Sequence, residues 1–279
     1  MTSKAAEQHE PEAKRPSREI LRQELMEALS SMEGSTGGLC ISGLSAGLDI
    51  GFSPLLAAAM RTQATGHLPS AVVELLAANM YAVGFIFVVL GRTELFTEQT
   101  TLAVLPVLNR DASLAALARQ WSVIYVSNLV GGAVFAGIAV FVMPSLGVID
   151  VSMLGEIAHR ELQPANSVIF VSAVLAGWMM GLLSWLVAAG RETISQIAIV
   201  WLVASGIGFA HFHHVIVGSV QLMMAAFAGQ GVTAADFGRF LLFATLGNII
   251  GGTVFVALLK YGRTAWADAG GMEKVSSKG

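Results

Sequence analysis

Six apolar runs constrain this chain more than any other feature. They cover about 38–60, 71–108, 114–143, 167–189, 193–228 and 237–261. A run of about 20 apolar residues is long enough to cross a bilayer core of about 30 Å. One large soluble core is a poor alternative, because the runs are too long and too many. Charge agrees: only 13% of residues are charged, against about 25% in a typical soluble domain, and the mean hydropathy is +0.68. The expected fold class is therefore an all-α membrane protein with six transmembrane helices.

The second and fifth runs exceed a single crossing, and each is interrupted, by "GRTELFTEQTT" and by "GFAHFHHVIVG". Non-helical backbone at membrane depth survives only where protein or a water-filled cavity satisfies its polar groups. Helices 2 and 5 are thus expected to be broken, and paired interruptions in corresponding halves point to a permeation or binding site. The halves do correspond. "NLVGGAVF" (128–135) matches "NIIGGTVF" (248–255), and "SGLSAGLDIGF" (42–52) weakly matches "SAVLAGWMMGL" (172–182). Three spans per unit send the second unit into the membrane in the opposite sense, which makes an inverted repeat. Gly43, Gly47 and Gly51, and again Gly247 and Gly251, fall at helical spacing and let helices approach closely. They argue for packing rather than chemistry.

The organisation expected is a disordered cytoplasmic tail over 1–17, an amphipathic surface helix over 18–34, a six-helix channel domain over 35–262 and a cytoplasmic tail over 263–279. Ile20, Leu21, Leu25, Met26 and Leu29 recur at helical spacing, which suggests a helix lying along the membrane surface. The first 20 residues are polar and carry no apolar core of a signal peptide. With six spans, most basic residues share the side of the termini, and only Arg61, Arg160 and Arg239 face the other. Both termini are then cytoplasmic and the protein sits in the cell's inner (plasma) membrane. The single Cys40 excludes an intrachain disulfide. The net charge of −3 is uninformative about partners beyond the lipid bilayer, and no nucleic acid is implied.

Three histidines, His211, His213 and His214, sit in the interruption of the fifth run. Ionisable residues inside a membrane usually face a cavity and mark substrate or proton paths, and histidine exchanges protons near neutral pH. Metal binding is the rival reading, since His211 and His214 stand at i, i+3. No HExxH motif and no nearby cysteine completes a ligand set, so no metal or other cofactor is expected. In the second run, Leu95 and Phe96 lie between Thr93, Glu94, Thr97 and Glu98. An apolar pair in a polar loop can form a constriction; equally, the loop can surface and leave both acids solvated. Asp49, within the first run, reads as a residue with a structural partner. Glu161, before the fourth, reads by default as a loop acid.

The order and spacing of "ELFTE", "NLVGGA", "GRETISQIA", "FHH" and "GNIIGG" resemble the formate/nitrite transporter family over roughly 20–262. That resemblance implies an aquaporin-like protomer, assembled as a homo-pentamer with one pore per protomer, which conducts small monovalent anions such as formate, nitrite or hydrosulfide. It puts the central pore histidine on His214, with His211 as a second pore residue. It puts the constriction on Leu95, Phe96 and Thr97, and makes Glu94, Asn128, Asn248 and Gly218 pore-lining candidates. His213 is expected to point towards neighbouring helices. Three positions depart from the family pattern. Gly218 and Gly177 stand where asparagine is usual, and Glu161 stands where a lysine is thought to draw anions in. The last substitution resembles the YfdC-type branch of the family. A glutamate there raises the energy of an approaching anion, which admits a cation, a neutral weak base or a neutral solute as permeant. The function expected is a transmembrane channel or transporter for a small solute, not an enzyme. The alternatives are a non-conducting binding or sensory protein on the same fold and an intramembrane metalloenzyme. No GxxxxGK[ST] motif points to ATP coupling.

Overall fold

The computed structural model describes residues 15–262; the expected tails fall largely outside them, at 1–14 and 263–279. The described chain is helical: α1 (Ser17–Glu33), α2 (Thr36–Ile50), α3 (Phe52–Ala64), α4 (Ser70–Gly91), α5 (Phe96–Leu102), α6 (Val104–Leu108), α7 (Leu114–Val142), α8 (Val151–Leu162), α9 (Asn166–Ala189), α10 (Thr193–Phe209), α11 (Val215–Phe227) and α12 (Ala234–Gly252), followed by a π-helical stretch, Thr253–Leu258. Several starts follow from short polar side chains. Ser35 and Ser113 each accept a backbone N–H at the head of α2 and α7, and Thr233 with Asp236 forms a capping box on α12.

Among the described residues, four helices are long and apolar enough to cross a membrane: Thr36–Ala64, in which α3 continues α2, Ser70–Gly91, Leu114–Val142 and Asn166–Ala189. The helices Thr193–Phe209 and Val215–Phe227 are apolar but shorter. The outer surface suits lipid. Val126, Val130, Val134, Ile138 and Phe141 run down α7 at near one-turn spacing, all largely exposed. A stripe of that size in water marks an interaction surface.

Inside, two helix pairs are built alike. α2 meets α7 where Gly47 lies against the backbone of Asn128 and Gly131 against the carbonyl of Leu44. α9 meets α12 where Gly177 lies against the backbone of Asn248 and Gly251 against the carbonyl of Val174. A Cβ at any of these four glycines would collide with main chain. That contact explains Gly177: a larger residue would push α9 off α12.

Two elements differ from the sequence expectation. The helix α1 forms, but its buried face (Ile20, Glu24, Ala28, Met32) packs on the end of the bundle, against α5, α6, α7 and α9. Protein, not lipid headgroups, covers that face. Arg15 donates to the Ala188 carbonyl at 2.8 Å, and Gln120 donates to Ser31 Oγ at 2.8 Å, which tie it down. At the opposite end, the segment before α9 is a helix rather than a loop. Leu154, Ile157 and Ala158 bury one face of α8 over α3 and α11.

Candidate functional site

The site is built at two junctions, between α4 and α5 and between α10 and α11. Each opens on a non-glycine residue in the left-handed region, Arg92 at φ 53° and His211 at φ 52°. That conformation costs roughly 1–2 kcal/mol, so surrounding contacts must hold it. Each junction closes on an extended residue that heads the next helix: Leu95 (φ −95°, ψ 127°) and His214 (φ −98°, ψ 115°).

The holding contacts are also duplicated. Asn128 accepts the Phe96 N–H at 2.8 Å and donates to the carbonyls of Gly43 and Glu94 at 2.8 and 2.9 Å. Asn248 accepts the Val215 N–H at 2.8 Å and donates to the carbonyls of Ala173 and His213 at 2.8 and 3.0 Å. Ser42 Oγ accepts the Glu94 N–H, and Ser172 Oγ accepts the His213 N–H. Both asparagines are 0% exposed. Each carboxamide thus clamps a junction's backbone to a neighbouring helix, Asn128 to α2 and Asn248 to α9.

The two junctions meet at one hydrogen bond. Thr97 Oγ1 lies 2.7 Å from His214 Nε2. His214 is 1% exposed, and its Nδ1 accepts the Val217 N–H at 3.3 Å. A ring nitrogen that accepts carries no hydrogen, so Nε2 bears the proton of a neutral ring and donates it to Thr97. The Thr97 hydroxyl hydrogen then remains for another acceptor. Phe85 stands edge-on to the ring at 5.1 Å. His214 also lines a narrow cleft that runs to the α8 end, past Gly218, Tyr81, His211, Arg61 and Glu161.

At that end, Arg61 Nη2 and Arg160 Nη1 hold the Glu74 carboxylate at 2.8 and 3.0 Å, and His211 Nε2 lies 3.5 Å from it. His213 Nε2 donates to the Glu161 carbonyl at 3.2 Å while Nδ1 meets Ser172 Oγ at 2.9 Å. His213 therefore fastens the last turn of α8 to the junction. This holds the Glu161 side chain, 14% exposed, beside the cleft. Glu161 is no solvated loop acid. Burial pushes its carboxyl up to about 7, against the lowering pull of Arg61 and then Arg160.

At the α1 end, Glu94 accepts from Ser31 Oγ at 2.6 Å and from Gln99 Nε2. Glu98 lines a second cleft with Glu24, Glu27, Arg92 and Ser184.

A family profile described as formate/nitrite transporter matches residues 18–262. The chain belongs to the formate/nitrite transporter family. The inner membrane protein YfdC of Escherichia coli is 31% identical over 234 residues, which cover 82% of this chain and 73% of that protein. The fold is that of a solved structure titled an FNT family ion channel: TM-score 0.75 at 21% identity, covering 88% of this chain and 97% of the other. It is also that of a pentameric formate channel with formate bound, at TM-score 0.65 and 22% identity, covering 81% and 96%.

In this formate/nitrite transporter relative, the structure brings His214, Thr97, His211, Gly218 and Glu161 to one cleft or its floor. It leaves others apart. Phe96 packs against Tyr125 and Trp121 at 4.7 and 6.2 Å, and Leu95 is wholly buried. His211 and His214 share no helix face, because the junction separates them, so their i, i+3 spacing does not make a ligand pair. Asp49 has the structural partner expected, Ser45 Oγ at 3.3 Å. Sequence reasoning missed Arg61, Glu74, Tyr81 and Glu24. Glu74 carried a signal, as a lone acid in the apolar "SAVVELLAANM".

Proposed function

We propose that this member of the family is a channel for a small weak acid or weak base that crosses the bundle's middle as a neutral molecule. Six crossings make the span: α2 with α3, α4 with α5 and α6, α7, α9, α10 with α11, and α12 with the π-helical stretch. The second and fifth are broken at the paired junctions, and the two halves run in opposite senses. The observation that carries this reading is the Thr97–His214 hydrogen bond, which joins the two junctions beneath a cleft open towards the α8 end. A neutral imidazole, a hydroxyl and a phenyl ring surround that point. An ion stripped of water there would find little to replace its hydration, whereas a neutral molecule can trade hydrogen bonds with Thr97 and His214. Charge is then adjusted at the two mouths, where Glu161, Arg61 and Arg160 stand at one end and Glu98 at the other.

The sign at the α8 mouth is balanced rather than acidic, since Arg61 and Arg160 offset Glu74 and Glu161. The termini are cytoplasmic in this reading, with α8 outside, and the protomers form a homo-pentamer in the inner membrane. Purified protein in proteoliposomes, screened by stopped flow with formate, nitrite, hydrosulfide, ammonium, potassium and water, tests it. Flux of one or more weak acids or bases well above empty liposomes is expected. Flux of potassium alone, or of nothing on that panel, would overturn it in favour of an ion pore or a non-conducting binding protein.

A further inference from the structure

We propose that the cleft beneath α1 is a binding site for a small N–H cation of the ammonium or primary-ammonium class. Its walls come from four elements. Gln23, Glu24 and Glu27 project from α1, Glu98 from α5 and Ser184 from α9, while Gln196 comes from the first turn of α10. Three carboxyls thus face one space, with exposed Arg92 at its edge. Glu24 is 2% exposed, and its Oε1 has no hydrogen-bond partner among the described residues. Ser184 hydrogen-bonds the carboxyl, but Oε1 stays unpartnered and Glu27 adds a like charge, so a carboxylate buried there is costly.

Two things can relieve that cost, a proton or a cation. Burial and, next, Glu27 push the Glu24 carboxyl up to about 8, so the empty site holds a proton at neutral pH. The charged groups around it are Glu27 on its own helix, Glu98 from α5, Arg92 at the end of α4 and Arg15, whose guanidinium bonds the cleft-lining Gln23 and Ala188; α9 contributes the Ser184 hydroxyl. A primary ammonium carries three N–H donors. The acceptors available are Glu24 Oε1, a carboxyl oxygen of Glu98 and the side-chain carbonyl of Gln196, whose amide nitrogen is already committed to Val187 and Gly190. Among the described residues no three His, Cys, Asp or Glu side chains are grouped to hold a metal ion.

Binding is an exchange: the Glu24 carboxylic acid and methylammonium give a carboxylate–methylammonium pair and one free proton. Affinity should therefore rise about tenfold per pH unit below 8 and level off above it. The inference stands on the cleft and not on which solute the channel carries. The test is isothermal titration of methylammonium into the full-length protein in nanodiscs, in two buffers of different ionisation heat. Sodium, potassium and tetramethylammonium at equal ionic strength serve as controls. Saturable binding with about one proton released at pH 6.5 is expected. Glu24→Gln should weaken it at least tenfold and the exposed Glu27→Gln severalfold, which keeps the test decisive if the first variant does not fold. Equal heats with sodium, potassium or tetramethylammonium, no proton release, or an unchanged Glu24→Gln would mean that the cleft holds only protons and water. Solute flux measured on the same preparation reports the channel separately.

Discussion

At the residue scale, His214 and His211 have different work. His214 is buried at the meeting of the two junctions, while His211 is half-exposed at the α8 mouth beside Glu74 and Arg160. Replacing His214 with Asn should change the flux of the conducted solute, or its pH dependence, by tenfold or more, a change of about 1.4 kcal/mol in the barrier. His211→Asn should change it less. Equal or reversed effects in stopped-flow assays would remove His214 from the centre. Glu161 gives a sharper pH test. Its carboxyl is neutral below about 7, which leaves Arg61 and Arg160 to favour an anion, and it is charged above, which opposes one. The groups facing it are Arg61 from α3, Glu74 and Tyr81 from α4, Arg160 on α8, and His211 and His213 from the α10–α11 junction. The ratio of wild-type to Glu161→Gln formate flux should fall as pH rises from 6 to 8; a ratio flat across that range would clear Glu161 of any role. Formate flux should also rise in Glu161→Lys, most at low salt, because charges are screened beyond about 8 Å at physiological ionic strength.

At the element scale, the junctions exist because side chains from neighbouring helices satisfy the backbone that leaves the helix. Asn248→Ala strands the Val215 N–H and the His213 carbonyl in the interior. Each buried group left unsatisfied costs about 1–3 kcal/mol, so a fall in stability on the order of 3 kcal/mol or more is expected from thermal unfolding in detergent. Asn79→Ala, on the exposed side of α4, should cost far less. Glycines test the helix contacts in the same way. Gly177→Val drives a side chain into the Asn248 backbone, while nothing lies within 4 Å of a Cβ at Gly137. The first substitution should abolish folded protein on size-exclusion chromatography and Gly137→Ala should not.

At the scale of the whole molecule, the exposed apolar faces of α7 and α12 need partners. Leu242, Leu246 and Ile250 on α12 continue the pattern of α7. Lipid can cover part of that surface, and neighbouring copies the rest. A pentamer is expected by native mass spectrometry from mild detergent and from nanodiscs, and a stable monomer or dimer in both would count against it. The charges are sorted by end. Arg61, Arg160 and Arg239 gather around α3 and α8, where Arg239 also bonds Asn166. Arg15 and Arg119 fasten the α1 end.

The sequence by itself determined the class of fold, because apolar runs of that length admit few solutions other than helices in a bilayer. It also marked the polar and glycine-rich stretches beside which the described helices Ser70–Gly91 and Thr193–Phe209 end. The pairing of halves was legible in "NLVGGAVF" and "NIIGGTVF", whose asparagines and glycines serve the same contacts twice. What those asparagines do was not legible, because a buried carboxamide that lines a cavity and one that clamps backbone have the same spacing. Nor was the surrounding of Glu161. The acid reads alone in "AHRELQPANS", but Arg61 and Tyr81 reach it from α3 and α4, far away in chain order, and become its neighbours only after folding. The same holds for Glu24, which has the spacing of a surface residue on an amphipathic helix and becomes buried only when α1 docks on the bundle. Local pattern fixes helices and their interruptions, because both depend on nearby residues; the charge and hydrogen-bond environment of a side chain depends on distant segments, and tertiary packing alone decides it.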